Sequence, residues 1–325
     1  MKAGVMMKEL QIGELLVRPG EKKSGFVAVA GTDVEMPVTI ICGEKPGKTV
    51  LITGGVHNAE YVGIQTAIEL ADEIEPSQLT GSLIIIRLVN RSGFEHRTMS
   101  LVYEDGKNLN RVFPGNPDGT VAEKIAHAIV TEFHRRANFY IDLHGGDGYE
   151  QLTPYVYCVG AASPEVVAAA RDMAAVVNVP YLVQSPSGSG GSYNYAGSCG
   201  IPSILIERGC MAAWSREEVE LGKEDVRNVL RHLQVLAGTV SGRRFHPVDV
   251  GKVVYASARH TGCWYPARKA GDSFLKGDVL GEIKDYFGSV LEVCLAEMDG
   301  IMLYRVGSLC VIEGDPLMAY GEKPD

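Results

Sequence analysis

The chain lacks any apolar run approaching the roughly 20 residues that a helix needs to cross a bilayer. Positive charge is also in deficit: 31 Lys and Arg stand against 40 Asp and Glu, a net charge of −9. That balance argues against nucleic acid or an anionic membrane as partner. It leaves a small charged substrate open, because a local basic pocket can sit inside an acidic surface. Residues 1–20 lack the apolar core of a secretory signal, so none is expected. Paired cysteines are missing too. The seven cysteines (Cys42, Cys158, Cys199, Cys210, Cys263, Cys294 and Cys310) are odd in number and contain no C-x-x-C pair. Cys158 and Cys294 fall in apolar, strand-like runs, where a free thiol behaves as a small hydrophobe. The expectation is a reduced, cytoplasmic protein without a disulfide framework. No internal repeat or low-complexity tract is evident.

What is present is ordinary for a globular protein: 325 residues, 46% hydrophobic and 22% charged. That length accommodates a catalytic core and an accessory domain. The first 48 residues carry short β-like runs, Phe26 to Ala30 and Val38 to Cys42, broken by Gly, Pro and charge. Gly43 to Thr49 imitates a phosphate loop. It has three residues between its glycines instead of four and precedes a strand, so it reads as a turn. From Val50 the pattern alternates. An apolar run, Val50 to Ile52, ends in two glycines, and helical periodicity follows at Ile64, Ala67, Ile68, Ala71 and Ile74. Leu83 to Val89 is nearly continuous in apolar residues, as in a strand covered on both faces. Thr120 to Glu123 reads as a capping box for a helix carrying Ile125, Ile129 and Phe133. Phe139 to Leu143, Tyr155 to Val159, Tyr181 to Val183 and Ser203 to Ile206 read as strands, with helices near 164–177 and 216–237. Gln184 to Gly200 is rich in Gly and Ser and shows neither period, so it reads as a loop, either a lid or a plain surface segment.

This alternation predicts an α/β domain over residues 1–242, with a mixed, largely parallel sheet and helices on both faces. Beyond Gly242 the helical period vanishes. Short strands alternate with Gly-Asp or Asp-Gly turns, which predicts a small all-β accessory domain over 243–325. Lys269 to Gly321 resembles a biotinyl/lipoyl-carrier sandwich. It has no lysine between two methionines at a hairpin, so no swinging arm is expected.

In sheets of this kind ligands gather at the carboxyl ends of strands. Three chemistry-bearing residues fall there. His57 lies on the turn after one strand, with Glu60 placed in the first helical turn three residues on, close enough to converge. His144 ends a second strand, preceded by Asp142. Two imidazoles and a carboxylate make a zinc site with a fourth position open for water. Alone, His-x-x-Glu is a weak signal, more often a satisfied core or surface pair than a metal site, and Asp142 is either an orienting partner for His144 or a strand-end acid. Glu207 ends a third strand. It either pairs with Arg208 or acts as a general base. Asp105 to Gly115 is a polar loop in which Arg111 is either a solvated loop charge or, with Asn110, suited to bidentate capture of a carboxylate. Arg97 is either a loop arginine or an oxyanion partner.

The ordered set Gly54-Gly-Val-His-Asn-Ala-Glu60, Asn90 to Arg97, Asp105-Gly-Lys-Asn-Leu-Asn-Arg-Val-Phe-Pro-Gly115, Asp142-Leu-His144 and Ile206-Glu-Arg-Gly209 resembles the succinylglutamate desuccinylase/aspartoacylase family, within the zinc carboxypeptidase group. The similarity covers roughly residues 25–321. It implies one Zn2+ per subunit on His57, Glu60 and His144. It further implies Glu207 as general base and acid, Arg97 as carbonyl polariser, and Asn110 with Arg111 as a clamp on the substrate carboxylate. The implied activity is hydrolysis of the amide bond of a small N-acyl amino acid, of desuccinylase, aspartoacylase or N-acetyl-diaminobutyrate deacetylase type. Cleavage of short peptides and a non-catalytic binding relative are the alternatives, and a homo-oligomer is compatible. Two departures stand out. Asn58 replaces the family's usual Gly, and reads as a helix N-cap; Arg91 follows Asn90 where the family often has Pro.

Overall fold

The structure, a computed structural model, describes residues 9–322. A small hairpin, β1 (Leu10–Ile12) and β2 (Leu15–Val17), precedes β3 (Lys22–Ala28), β4 (Glu35–Cys42), β5 (Lys45–Gly54) and β6 (Thr80–Ile86). Then come β7 (Phe139–His144), β8 (Glu150–Leu152), β9 (Tyr155–Val159), β10 (Tyr181–Ser185), β11 (Ser203–Glu207) and β12 (Val248–Asp249). Apart from β1, β2 and β8 these form one nine-stranded sheet in the order β12-β10-β9-β11-β7-β5-β6-β4-β3. The strands β11, β7, β5 and β6 at its heart run parallel. β6, β7, β11 and the second half of β5 are mostly apolar and almost wholly buried, because helices cover the sheet on either side.

The helices are α1 (Tyr61–Glu73), α2 (Arg91–His96), α3 (Val121–Ala128), α4 (Pro164–Ala174), α5 (Ser192–Ser198) and α6 (Arg216–His232). The capping box at Thr120 and Glu123 is formed, and α3 begins directly after it. α1 packs along α6. Between them the buried Lys223 ammonium lies 2.8 Å from carboxylates of Glu69, Glu73 and Glu220, so its charge is paired.

Several local expectations need correction. The apolar run after Leu83 ceases to be strand at Ile86, where the chain turns toward α2. Helix α1 begins at Tyr61, so Glu60 is its N-cap residue and stands before the first turn instead of within it. Asn58 is therefore not the cap. It is buried, and its Oδ1 accepts a hydrogen bond from Asn90 Nδ2 at 2.9 Å. The stretch 184–200 is not a uniform loop. Gln184 and Ser185 belong to β10, and Ser192–Ser198 form α5. Helix propensity is low in this Gly- and Ser-rich stretch. Tertiary contacts supply the stabilisation: Tyr193 and Ala196 are buried, and Ser192 N donates to Asn110 Oδ1 at 2.9 Å. The turn at Gly43 is shorter than the phosphate-loop imitation, since Lys45 already belongs to β5.

The remaining strands are β13 (Val253–Ser257), β14 (Gly262–Pro266), β15 (Ser273–Phe274), β16 (Val279–Lys284), β17 (Val290–Leu295), β18 (Gly300–Val306), β19 (Cys310–Val311) and β20 (Pro316–Glu322). They build two antiparallel sheets, β13-β20-β18-β15 and β17-β16-β14-β19. A second hydrophobic core lies between them, with Trp264, Phe274, Ile283 and Tyr320 among its members. The two parts interlock: β8 pairs with β18, and β12 joins the edge of the large sheet beside β10.

Candidate active site

The parallel strands β5, β7 and β11 end side by side, so whatever follows each of them meets at one edge of the sheet. β5 stops at Gly54. Gly55 then adopts φ +72°, and a Cβ there would lie 2.6 Å from Leu88 Cδ1, so the reversal demands glycine. His57 and Glu60 follow on the bend. His144 is the last residue of β7 and stands directly across from Glu207, the last residue of β11.

These groups converge. Glu60 Oε1 is 2.7 Å from His57 Nδ1, and Glu60 Oε2 is 2.8 Å from His144 Nδ1. Gly145 N donates to Glu60 Oε2 at 3.1 Å. One ligand atom from each of the three residues lies within 4.8 Å of the others, so the group can hold a metal ion. The outer ring nitrogen of His57 is held as well. His57 Nε2 is 3.0 Å from Asn108 Oδ1, an acceptor that also takes Asn110 N at 2.9 Å. A neutral His57 therefore carries its proton on Nε2 and turns the lone pair of Nδ1 toward Glu60. A lone pair facing a carboxylate needs a cation between them, whether a proton or a metal. His144 Nε2 is 3.3 Å from Asp142 Oδ2, a charge contact whose angles miss those of a hydrogen bond. Asp142 Oδ1 accepts from Thr53 Oγ1 at 2.6 Å. Burial disfavours the Glu60 carboxylate, yet the imidazoles of His144 and His57 outweigh it and hold its pKa at about 2. Burial likewise disfavours a charged His144, but Glu60 and Asp142 push its pKa well above the ordinary range.

The triad opens into a cavity of about 310 Å³, the size of a small-molecule site. Glu207 faces it. Its neighbour Arg208 turns to the opposite side, as strand alternation requires, and pairs with buried Asp225 at 2.7 Å. Arg208 therefore does not satisfy Glu207, which has no hydrogen bond or ion pair among the described residues. Burial, then the negative charge of Glu60, pushes the Glu207 carboxyl well above the usual range, with His144 opposing. Glu150, on β8, also lines the cavity. Burial and the charges of Asp147 and Glu60 raise its pKa to about 8, against the pull of Arg111.

Of the residues singled out in the sequence, His57, Glu60, His144, Glu207, Asn110 and Arg111 all line this one cavity. Asn110 is buried, with its Oδ1 engaged by Ser192 N. Arg111 is exposed at the rim, and its Nη1 donates to the Asn110 carbonyl at 2.9 Å. Arg97 is not brought in. It is the left-handed C-cap of α2 at φ 56°, is exposed, and does not line the cavity. Arg91 likewise stays on the surface, paired with Glu95 at 2.9 Å. Sequence reasoning missed three features. Asn108, which orients His57, stood within the Asn-Leu-Asn-Arg motif and was legible there. Glu150 lies in a three-residue strand without any period to mark it. Tyrosines 155, 157, 193, 255 and 304 wall the cavity; Tyr255 comes from β13 and Tyr304 from β18, and Tyr255 Oη meets Tyr157 Oη at 3.0 Å.

Comparison with known proteins agrees with this geometry. The family description Succinylglutamate desuccinylase/Aspartoacylase catalytic domain matches residues 46–233. The N-alpha-acetyl-L-2,4-diaminobutyric acid deacetylase of Halomonas elongata is 27% identical over 303 residues, covering 89% of this chain and 86% of that protein. The product-bound ectoine utilization protein EutE (DoeB) of Ruegeria pomeroyi superposes with a TM-score of 0.85 at 26% identity, over 94% of this chain and 96% of that one. A succinylglutamate desuccinylase/aspartoacylase structure from Rhodobacter sphaeroides gives 0.83 at 27% identity, over 94% and 97%. With the match spanning more than half of the sequence and the His-Glu-His group at its centre, the chain belongs to the succinylglutamate desuccinylase/aspartoacylase family.

Proposed function

We propose that this protein is a zinc-dependent amidohydrolase that cleaves the amide bond of a small N-acyl amino acid. The observation that carries the reading is the convergence of His57, Glu60 and His144 beside an unpaired Glu207 at one cavity. Two imidazole nitrogens and one carboxylate with a side open to the cavity are the donor set of a catalytic zinc site, and Asn108 already fixes the His57 tautomer that such a site needs. When bound, the metal supplies Lewis-acid polarisation of water and of the acyl carbonyl. The chain's own residues do the rest. Glu207 Oε takes the proton of the attacking water and returns it to the leaving amine nitrogen; its raised pKa suits a group that must hold that proton between the two transfers. The carboxylate of the substrate is taken by Arg111, with Asn110 fixing the loop that presents it. The tyrosine wall and the β13 and β18 strands exclude bulk water. Arg97 is given no step, since it lies outside the cavity.

The small amino-acid substrate is supported by the cavity's size and by the named activity of the Halomonas relative. The same proposal includes a division into a catalytic domain, 1–242, and a β domain, 243–325, which the separate hydrophobic core supports. The test is a screen of zinc-loaded protein over N-acyl amino acids and dipeptides. Glu207→Gln is expected to lower kcat on the best substrate by on the order of 10² or more. Equal rates in parent and variant would remove the mechanism.

A further inference from the structure

The mechanism uses one free acid of the cavity and leaves another without a task. Glu60 is spoken for by two imidazoles and Glu207 by proton transfer, but Glu150 forms no hydrogen bond or ion pair among the described side chains. Strand geometry aims it deliberately. On β8 the residues Glu150 and Leu152 share one face and line the cavity, while Gln151 points the other way. β8 is clamped between β18 and the loop after β11: Val306 pairs with Glu150, and Met211 N donates to the Glu150 carbonyl at 2.8 Å. The side chain is thus presented from a fixed backbone and does not hang from a mobile loop. Its surroundings offer little compensation. Among the described residues Arg111 is the only Lys or Arg lining the cavity, and the clamp on the substrate carboxylate occupies it; His144, the other positive group that acts on Glu150, is engaged by Glu60. A half-buried carboxylate facing the cavity costs free energy unless a cation meets it.

We infer that Glu150 receives a cationic group on the amino-acid side chain of the substrate, making the site selective for N-acyl diamino acids over N-acyl acidic ones. This inference rests on the deacylase reading above and deepens it. A substrate held by its carboxylate at Arg111 and by a terminal ammonium at Glu150 would be fixed at two opposite charges. An acidic side chain in the same place would meet a like charge, which discriminates as strongly as the attractive contact selects.

The test compares three acetylated substrates of similar length in the zinc-loaded protein: Nα-acetyl-2,4-diaminobutyrate, Nα-acetyl-2-aminobutyrate and N-acetylaspartate. In the parent, kcat/KM for the first should exceed that for the second by about tenfold or more, chiefly through KM. In Glu150→Gln this ratio should fall toward one, and Glu150→Lys should raise the relative rate on N-acetylaspartate. A ratio near one in the parent, or a ratio unchanged in Glu150→Gln, overturns the assignment. A second measurement does not depend on turnover. Calorimetric binding of free L-2,4-diaminobutyrate and L-2-aminobutyrate to parent and Glu150→Gln should show the same loss of preference. If no amide is cleaved but that preference is present and lost in the variant, the hydrolytic reading fails and the Glu150 assignment stands. If amides are cleaved without the preference, the reverse holds.

Discussion

At the scale of single residues, the chemistry depends on buried polar groups that hold one another in place. Beneath the triad a chain of hydroxyls runs inward from Asp142: Thr53 Oγ1 is 2.7 Å from Tyr140 Oη, Tyr140 Oη 2.8 Å from Ser192 Oγ, and Ser192 Oγ 3.4 Å from His134 Nε2. With Thr53 donating to Asp142, each hydroxyl donates toward the acid and His134 starts the series. His134 is 3% exposed, and burial lowers its pKa to about 4, with the charge of Asp142 opposing. The native state therefore keeps this imidazole neutral, whereas the unfolded chain takes up its proton near the ordinary value of about 6.5. Between those two values the unfolded state binds more protons, so stability falls as pH drops, by up to about 3 kcal/mol from this group. Below pH 4 the group adds no further loss. Denaturant unfolding across that window should show a shallower pH slope for His134→Phe than for the parent; parallel curves would contradict the assignment.

At the scale of elements, the decisive contacts are those that seat a helix against the sheet where the site is made. Gly63 lies in the first turn of α1, on the side facing β7. A Cβ placed there would come within 2.9 Å of the Leu143 carbonyl oxygen and 3.1 Å of Leu143 Cβ. On propensity alone Gly63→Ala gains up to about 1 kcal/mol. The clash with rigid backbone outweighs it, and overpacking of this kind costs about 1–3 kcal/mol. Gly63→Ala should thus lower the urea midpoint; a stabilised variant would show that α1 can shift away from β7 freely. The same displacement would move Glu60, the residue just before the helix, relative to His144. The element boundaries that sequence misread are of the same origin. Nothing local marks Tyr61 as the start of α1 in preference to Asn58, because the buried bond between Asn58 and Asn90 comes from a residue 32 positions away.

At the scale of the whole molecule, the C-terminal sheets are part of the site as well as a neighbour to it. Tyr255 and Tyr304 reach the cavity from β13 and β18, and β18 carries β8 with Glu150 on its edge. Gly281, on β16, packs under the Trp264 ring, where an added Cβ would sit 2.2 Å from the indole. Gly281→Ala is expected to unseat Trp264 and loosen this second core. Expected together are a lower thermal midpoint and a raised KM, although the substitution lies outside the cavity. An unchanged KM with a lowered midpoint would show that the tyrosine wall holds its place without that core.

The sequence by itself determined the parts of this protein that follow from local pattern. Buried strands betray themselves by unbroken apolar runs, the capping box at Thr120 by its spacing, and the His57, Glu60 and His144 group by its position at or just past strand ends. Asn108, Asn110 and Arg111 travel together in one short motif, so they were legible as a group even where one role was overlooked. Only the tertiary structure decided which of those polar residues share a space. It turned Arg208 away from Glu207 and onto Asp225, left Arg97 outside, and brought Glu150 and tyrosines from distant strands to one wall. The physical reason is that periodicity reports which face of an element is buried, while what that face meets depends on strand order and helix packing, which are set by contacts between residues far apart in the chain.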